Sequence, residues 1–74
     1  MSKSREADRF AIRSRNGIEH PKENRGYKSP EAVLSLALTR ALMDENDGTW
    51  TVLEYEDEVY HVRKDGKTMQ VVTP

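Results

Sequence analysis

The chain is 74 residues long, 35% hydrophobic and 34% charged, with no cysteine and a formal net charge of −1. A chain of this size makes one domain that buries only about 60% of its unfolded surface, which argues against a deep catalytic pocket. The missing cysteines exclude disulfide staples, thiolate zinc sites and cysteine nucleophiles, and no apolar run approaches the ~20 residues of a membrane span.

The start, MSKSREADR, lacks the apolar centre of a signal peptide, so the chain reads as soluble and intracellular. Residues 1–7 are polar with nothing to bury and read as a flexible arm, leaving 8–74 as one domain. The net charge hides an asymmetry. Residues 1–28 hold eight Lys or Arg against four Asp or Glu, +4, and residues 29–74 hold four against nine, −5.

In DRFAIRSR, Phe10 and Ile12 alternate with Ala11, Arg13 and Arg15, the period of a half-buried strand. Asn16-Gly17 then favours a tight type I′ turn. The returning segment IEHPKENRGYK contains Pro21 and few strand formers, so it reads as an edge strand or a structured loop. Tyr27 stands where it can staple the start of a helix by packing on Val33 or Leu34.

The stretch Ser29 to Asp47, SPEAVLSLALTRALMDEND, carries the helix. Ser29 supplies an N-cap oxygen, Pro30 fits the first helical position, and Glu31 meets the positive end of the dipole. Val33, Ala37 and Ala41 form one apolar row and Leu34, Leu38 and Leu42 the next, together making the core stripe. Asn46 or Gly48 can close the helix in the left-handed conformation. Asp44 and Glu45 sit at the negative end of the dipole, which is locally unfavourable. Leu36 and Met43 fall off the stripe as a thinner seam, either covered by the N-terminal arm or exposed for self-association as a homodimer.

After the helix, three strands form a meander, about Thr49 to Tyr55, Val59 to Lys64 and Lys67 to Val72. With Asp65-Gly66 as a two-residue loop, Val62 faces Met69 and Tyr60 faces Val71 on an apolar side, while His61 faces Gln70 and Arg63 faces Thr68 on a polar side. For the first turn, near Glu56 to Glu58, the preferred two-residue loop puts Leu53 and Tyr55 on the apolar side and Trp50 and Val52 outside. A three-residue loop would bury Trp50 but turn Glu54 inward. The class is thus α+β: an antiparallel sheet of three to five strands with one helix across a face, in the order β-(β)-α-β-β-β.

Catalysis finds little support. His20 and His61 are isolated, which excludes a recognisable metal-ligand spacing, and Glu54, Glu56, Asp57 and Glu58 read as a solvated turn. No phosphate loop or nucleophile elbow is present, so no catalytic residue and no cofactor is assigned. Binding finds more. Trp50, Val52, His61, Arg63 and Gln70 would share the outer sheet face, a mixture able to stack bases or anchor a protein. Against this, a single Trp in a chain with a thin core is itself wanted inside. Arg13, Arg15, Lys22, Arg25 and Lys28, with Lys64 and Lys67 at the hairpin tip, form a basic set that could contact phosphates.

From Lys28 to the end, the order K-S, an Ala-rich helix, G-T opening a strand, acidic residues, then K-D-G-K before V-V resembles the small anti-CRISPR proteins of phages and mobile elements that act on type I-F surveillance complexes. The N-terminal Asn-Gly loop with Pro21 departs from that pattern. The resemblance implies a non-enzymatic inhibitor in a bacterial cytoplasm that docks on Cas backbone subunits and obstructs target DNA binding, with Lys28, Lys64 and Lys67 near the nucleic-acid channel. The arrangement is also similar to truncated double-stranded-RNA-binding-like domains, without the closing helix that family uses against RNA. The alternatives are a direct nucleic-acid-binding module and a self-associating structural protein.

Overall fold

The structure, a computed structural model, describes residues 9–21 and 27–74. The expected flexible arm, and Lys22 and Arg25 of the basic set, lie outside the described residues. Strands β1 (Phe10–Ser14) and β2 (Gly17–Glu19) precede helix α1 (Pro30–Met43), and β3 (Gly48–Glu54), β4 (Asp57–Asp65) and β5 (Thr68–Val72) follow it. The strands form one antiparallel sheet in the order β2-β1-β3-β4-β5, and α1 lies across β1, β3 and β4. This is the α+β class expected from the sequence.

The helix begins where proline and dipole predict, with Pro30 in the first turn and Glu31 beside it. Ser29 takes the extended cap conformation, but its side chain makes no capping bond to the backbone. The helix ends earlier than expected, at Asp44, and no left-handed residue closes it. Lys64 does that work instead, donating its ammonium to the carbonyls of Ala41 (2.9 Å) and Asp44. A cation at this end offsets the negative pole that Asp44 and Glu45 would otherwise aggravate. Lys64 is therefore not part of an outward basic set.

Val33, Ala37 and Ala41 are buried, and Leu34 and Leu38 flank them as expected, but Leu42 is 69% exposed. Leu36 packs on the core from the other flank, while Met43 is 75% exposed. The expected Leu36–Met43 seam is thus divided between core and surface. The small row Val33, Ala37, Ala41 lets the helix sit close to the sheet, so side chains about 100° away on both flanks reach it.

The inner face of the sheet supplies Phe10, Ile12, Trp50, Val52 and Val62 to the same core, with Tyr27, Tyr60 and Met69 at its margin. Trp50 and Val52 therefore lie inside, not on the outer face as the preferred register had them. The loop between β3 and β4 does have two residues, Tyr55 and Glu56, but a bulge follows: Val52 pairs with Tyr60 and Leu53 with Glu58, leaving Val59 over. One extra residue on one strand reverses the faces beyond it. The objection to burying Trp50 was that Glu54 would turn inward. Glu54 does lie opposite Phe10, at the end of the sheet, where Arg9 pairs with it at 2.7 Å.

The last hairpin turns at Gly66-Lys67 and not at Asp65-Gly66, so Val62 faces Val71 and Lys64 faces Met69. Every pair slips by an even number of places, which keeps each residue on its expected face. Gly66 alone in this turn has positive φ, +62°, the pattern of a type II′ turn with glycine first. In the first hairpin the turn is Arg15-Asn16, one place earlier than expected, and Gly17 follows with φ +107°. β2 is an edge strand that stops before the buried Pro21.

Candidate interaction face

Alternation along the strands assigns the outer face. A continuous row of paired residues crosses the whole sheet: Ile18, Arg13, Thr51, His61 and Val72. Beside it run Thr49, Arg63 and Gln70 on one side and Ala11, Leu53 and Glu58 on the other. Among the described residues the helix covers only the opposite face, and no other described element lies over this one.

Ala11, Thr51 and Leu53 are buried even here. Arg13 donates from Nη2 to Glu58, whose other oxygen faces His61 Nε2 at 3.4 Å. On its far side His61 Nδ1 lies 3.0 Å from Thr51 Oγ1. The Arg13 hydrogen bond, reinforced by the charges of Arg13 and His61, holds the Glu58 carboxyl below the usual carboxylate range. The result is a fixed Arg13–Glu58–His61–Thr51 chain across three strands.

Around this chain the surface is open. Ile18 is 61% exposed, and Arg63 and Gln70 stand out from β4 and β5. Among the described residues no carboxylate pairs with Arg63.

Of the residues expected to bind, Arg13, His61, Arg63 and Gln70 are brought together here. Trp50 is not: it is 3% exposed and belongs to the core. Arg15 sits at the β1–β2 turn and donates to the Asp47 carbonyl. In the same corner Asn16 Nδ2 reaches Asp44 at 3.3 Å and the Gly66 N–H donates to Asp47 at 3.0 Å, tying three loops together. Lys28 is exposed just before the helix and Lys67 at the β4–β5 turn, on a different element. Ile18, Thr51, Glu58 and Val72 were missed as face residues. The signal that could have found Thr51 is its spacing from Trp50, had the bulge at Val59 been read.

On the helix side, Arg40 grips Glu19 through three hydrogen bonds of 2.7 to 3.2 Å and ties β2 to α1. That pair itself helps line, with Ile12, Ser14, Asn16 and Trp50, a cleft of ≈100 Å³. Small-molecule sites run to about 300–1,000 Å³. Among the described residues no group of three or more His, Asp or Glu side chains is arranged to hold a metal ion, and no helix is long and apolar enough to cross a membrane. No family model, curated protein or solved structure matches this chain.

Proposed function

We propose that the chain is a non-enzymatic binding module that docks on a protein partner through the outer face of its sheet. One observation carries this reading: the helix leaves that face uncovered, and the face carries an exposed apolar residue, Ile18 on β2, and, three strands away on β4, an Arg63 with no carboxylate partner among the described residues. Exposed apolar side chains and unpaired arginines on one face are the composition of interface anchors. The internal Arg13–Glu58–His61–Thr51 chain supports it further, since side chains held in place lose little freedom on binding. A partner that fits offers carboxylates opposite Arg63 and an apolar side chain against Ile18.

The partner class implied by the resemblance, the Cas backbone of a type I surveillance complex, is the first to try, with the chain acting as an inhibitor of target DNA binding. A tagged chain should retain the purified complex at low salt. Ile18→Glu combined with Arg63→Glu should release it without lowering the melting temperature. Failure to retain the complex sinks the inhibitor reading. A salt-dependent gel shift with plain duplex or single strand would instead favour direct nucleic-acid binding. That second reading draws on Arg13, Arg63 and Lys67, and it is weakened by the burial of Trp50, which removes the stacking aromatic from this face.

A further inference from the structure

The two edges of the sheet are built differently. β2 has three residues, Pro21 follows it closely, and its Glu19 is clamped to Arg40 of the helix. Short length, proline and engaged charge all discourage further pairing at an edge. β5 is longer and carries no charge, although Pro74 follows it as closely as Pro21 follows β2. Thr68–Val72, TMQVV, is five residues without charge, proline or bulge. Its Val71 lies on the helix side, opposite the buried Val62, and is still 46% exposed.

The hairpin register determines which backbone groups are open. A two-residue loop closes on a hydrogen-bonded pair, here Asp65 with Thr68, and such pairs recur at every second residue. Thr68, Gln70 and Val72 thus direct N–H and C=O toward β4. Met69 and Val71 direct theirs out of the sheet.

We propose that this edge pairs with β5 of a second copy of the chain, antiparallel about a two-fold axis at Gln70. A continuous sheet then runs through both copies with both helices on one side. Met69 meets the partner's Val71 and Val71 meets the partner's Met69, so the outward N–H and C=O of both residues are satisfied on each copy. Gln70 faces the partner's Gln70 on the outer side. Moving the axis to Met69 would set Lys67 against the partner's Val71, and moving it to Val71 would pair Met69 beyond the strand. The register about Gln70 is the one that overlaps all five uncharged residues.

Charge does not oppose this occupant. Arg63 stands opposite Gln70, so the two Arg63 side chains are three strand spacings apart, about 14 Å, beyond a Debye length of about 8 Å. Lys64, the cation on the inner side, is drawn off to the end of the helix. On the outer side, Asp65 pairs with Thr68 and His61 with Val72. The proposed register lines these up as one row in which Asp65 of each copy also stands three strand spacings, about 14 Å, from the partner's His61, so the charged flanks neither attract nor repel across the seam. A five-residue edge buries less than about 1,000 Å², which places the dimer among weak, concentration-dependent ones. The outer face stays open, so this inference stands apart from the reading above.

The absence of cysteine makes the register directly testable. In Gln70→Cys the two thiol-bearing residues form a non-hydrogen-bonded pair with Cα atoms about 4.5 Å apart, inside disulfide range. In Thr68→Cys the two are offset by four residues along the strands, about 13 Å. Under mild oxidation at equal concentration, Gln70→Cys should cross-link about tenfold faster or more than Thr68→Cys. Sedimentation of the unaltered chain should show its mass rising toward twice the monomer with concentration. Val71→Pro removes only an outward N–H and should abolish the rise while keeping the thermal melt; if it fails to fold, Val71→Lys at this half-exposed position serves. Equal cross-linking rates, or a monomer at millimolar concentration, would overturn the proposal.

Discussion

The two faces of the sheet are made from alternate residues of the same strands, yet they are held by different forces. On the helix side Phe10, Ile12, Trp50, Val52 and Val62 are buried against Val33, Ala37 and Ala41, and apolar area removed from water stabilises them. On the outer side order comes from a chain of polar contacts through Arg13, Glu58, His61 and Thr51. A face that is ordered without being covered can meet a partner. The comparison teaches that the helix side decides whether the chain folds, and the outer side is free to be chosen for what it touches.

That contrast can be broken most severely at Trp50. Trp50→Ala should cost about 3–5 kcal/mol in chemical denaturation, a large part of the roughly 4–11 kcal/mol available to a chain this size. Next come the two residues of the divided seam. Leu36→Ser should destabilise by about 1–2 kcal/mol because it packs on the core, whereas Met43→Ser, on the surface, should change stability by less than about 0.5 kcal/mol. Equal effects would mean that the helix is rotated from the orientation described.

Lys64→Met keeps the stem of the side chain and removes the ammonium from the Ala41 and Asp44 carbonyls. A loss of about 1 kcal/mol is expected in a urea titration. Arg63→Glu, on the open face, should leave stability within about 0.5 kcal/mol and lower only partner retention. If it unfolds the chain, the outer face is structural and not a docking surface.

The smallest effect is that of pH. Hydrogen bonds from Arg40, Tyr60, the Asn46 backbone and Arg13 hold the carboxyls of Glu19, Glu31, Asp44 and Glu58, respectively, below the usual carboxylate range. A depressed folded pKa stabilises above the unfolded value, and that stabilisation is lost as pH falls through the folded one. The melting temperature should be level from about pH 7 to 5 and decline toward pH 3. Arg13→Gln should shrink the decline, since Glu58 then titrates nearer its ordinary value. A decline of the same size in that variant would remove the Arg13–Glu58 pair as a contributor.

Much of this was legible in the residues themselves, and the reasons differ from element to element. The helix was readable because Pro30, Glu31 and the row Val33, Ala37, Ala41 are local signals spaced by the geometry of one helix. The faces of β4 and β5 survived an error in the turn because a slip by an even number of places preserves alternation. The candidate face was only half legible. His61, Arg63 and Gln70 were found, but Trp50 and Val52 were assigned to the wrong side, because the bulge at Val59 inserts one residue that no turn signal announces.

By itself, then, the sequence determined the class, the helix and the parity of the last hairpin, all of which follow from contacts between near neighbours in the chain. The tertiary structure decided the rest. Lys64 became a cap because a strand twenty residues after Asp44 returns beneath the end of the helix. Glu54 could face inward because Arg9, forty-five residues earlier, neutralises it. β5 became an open edge, and the Arg13 side an open face, only once five strands had taken their order. Contacts between residues far apart in the chain set those outcomes, and local spacing carries no record of them.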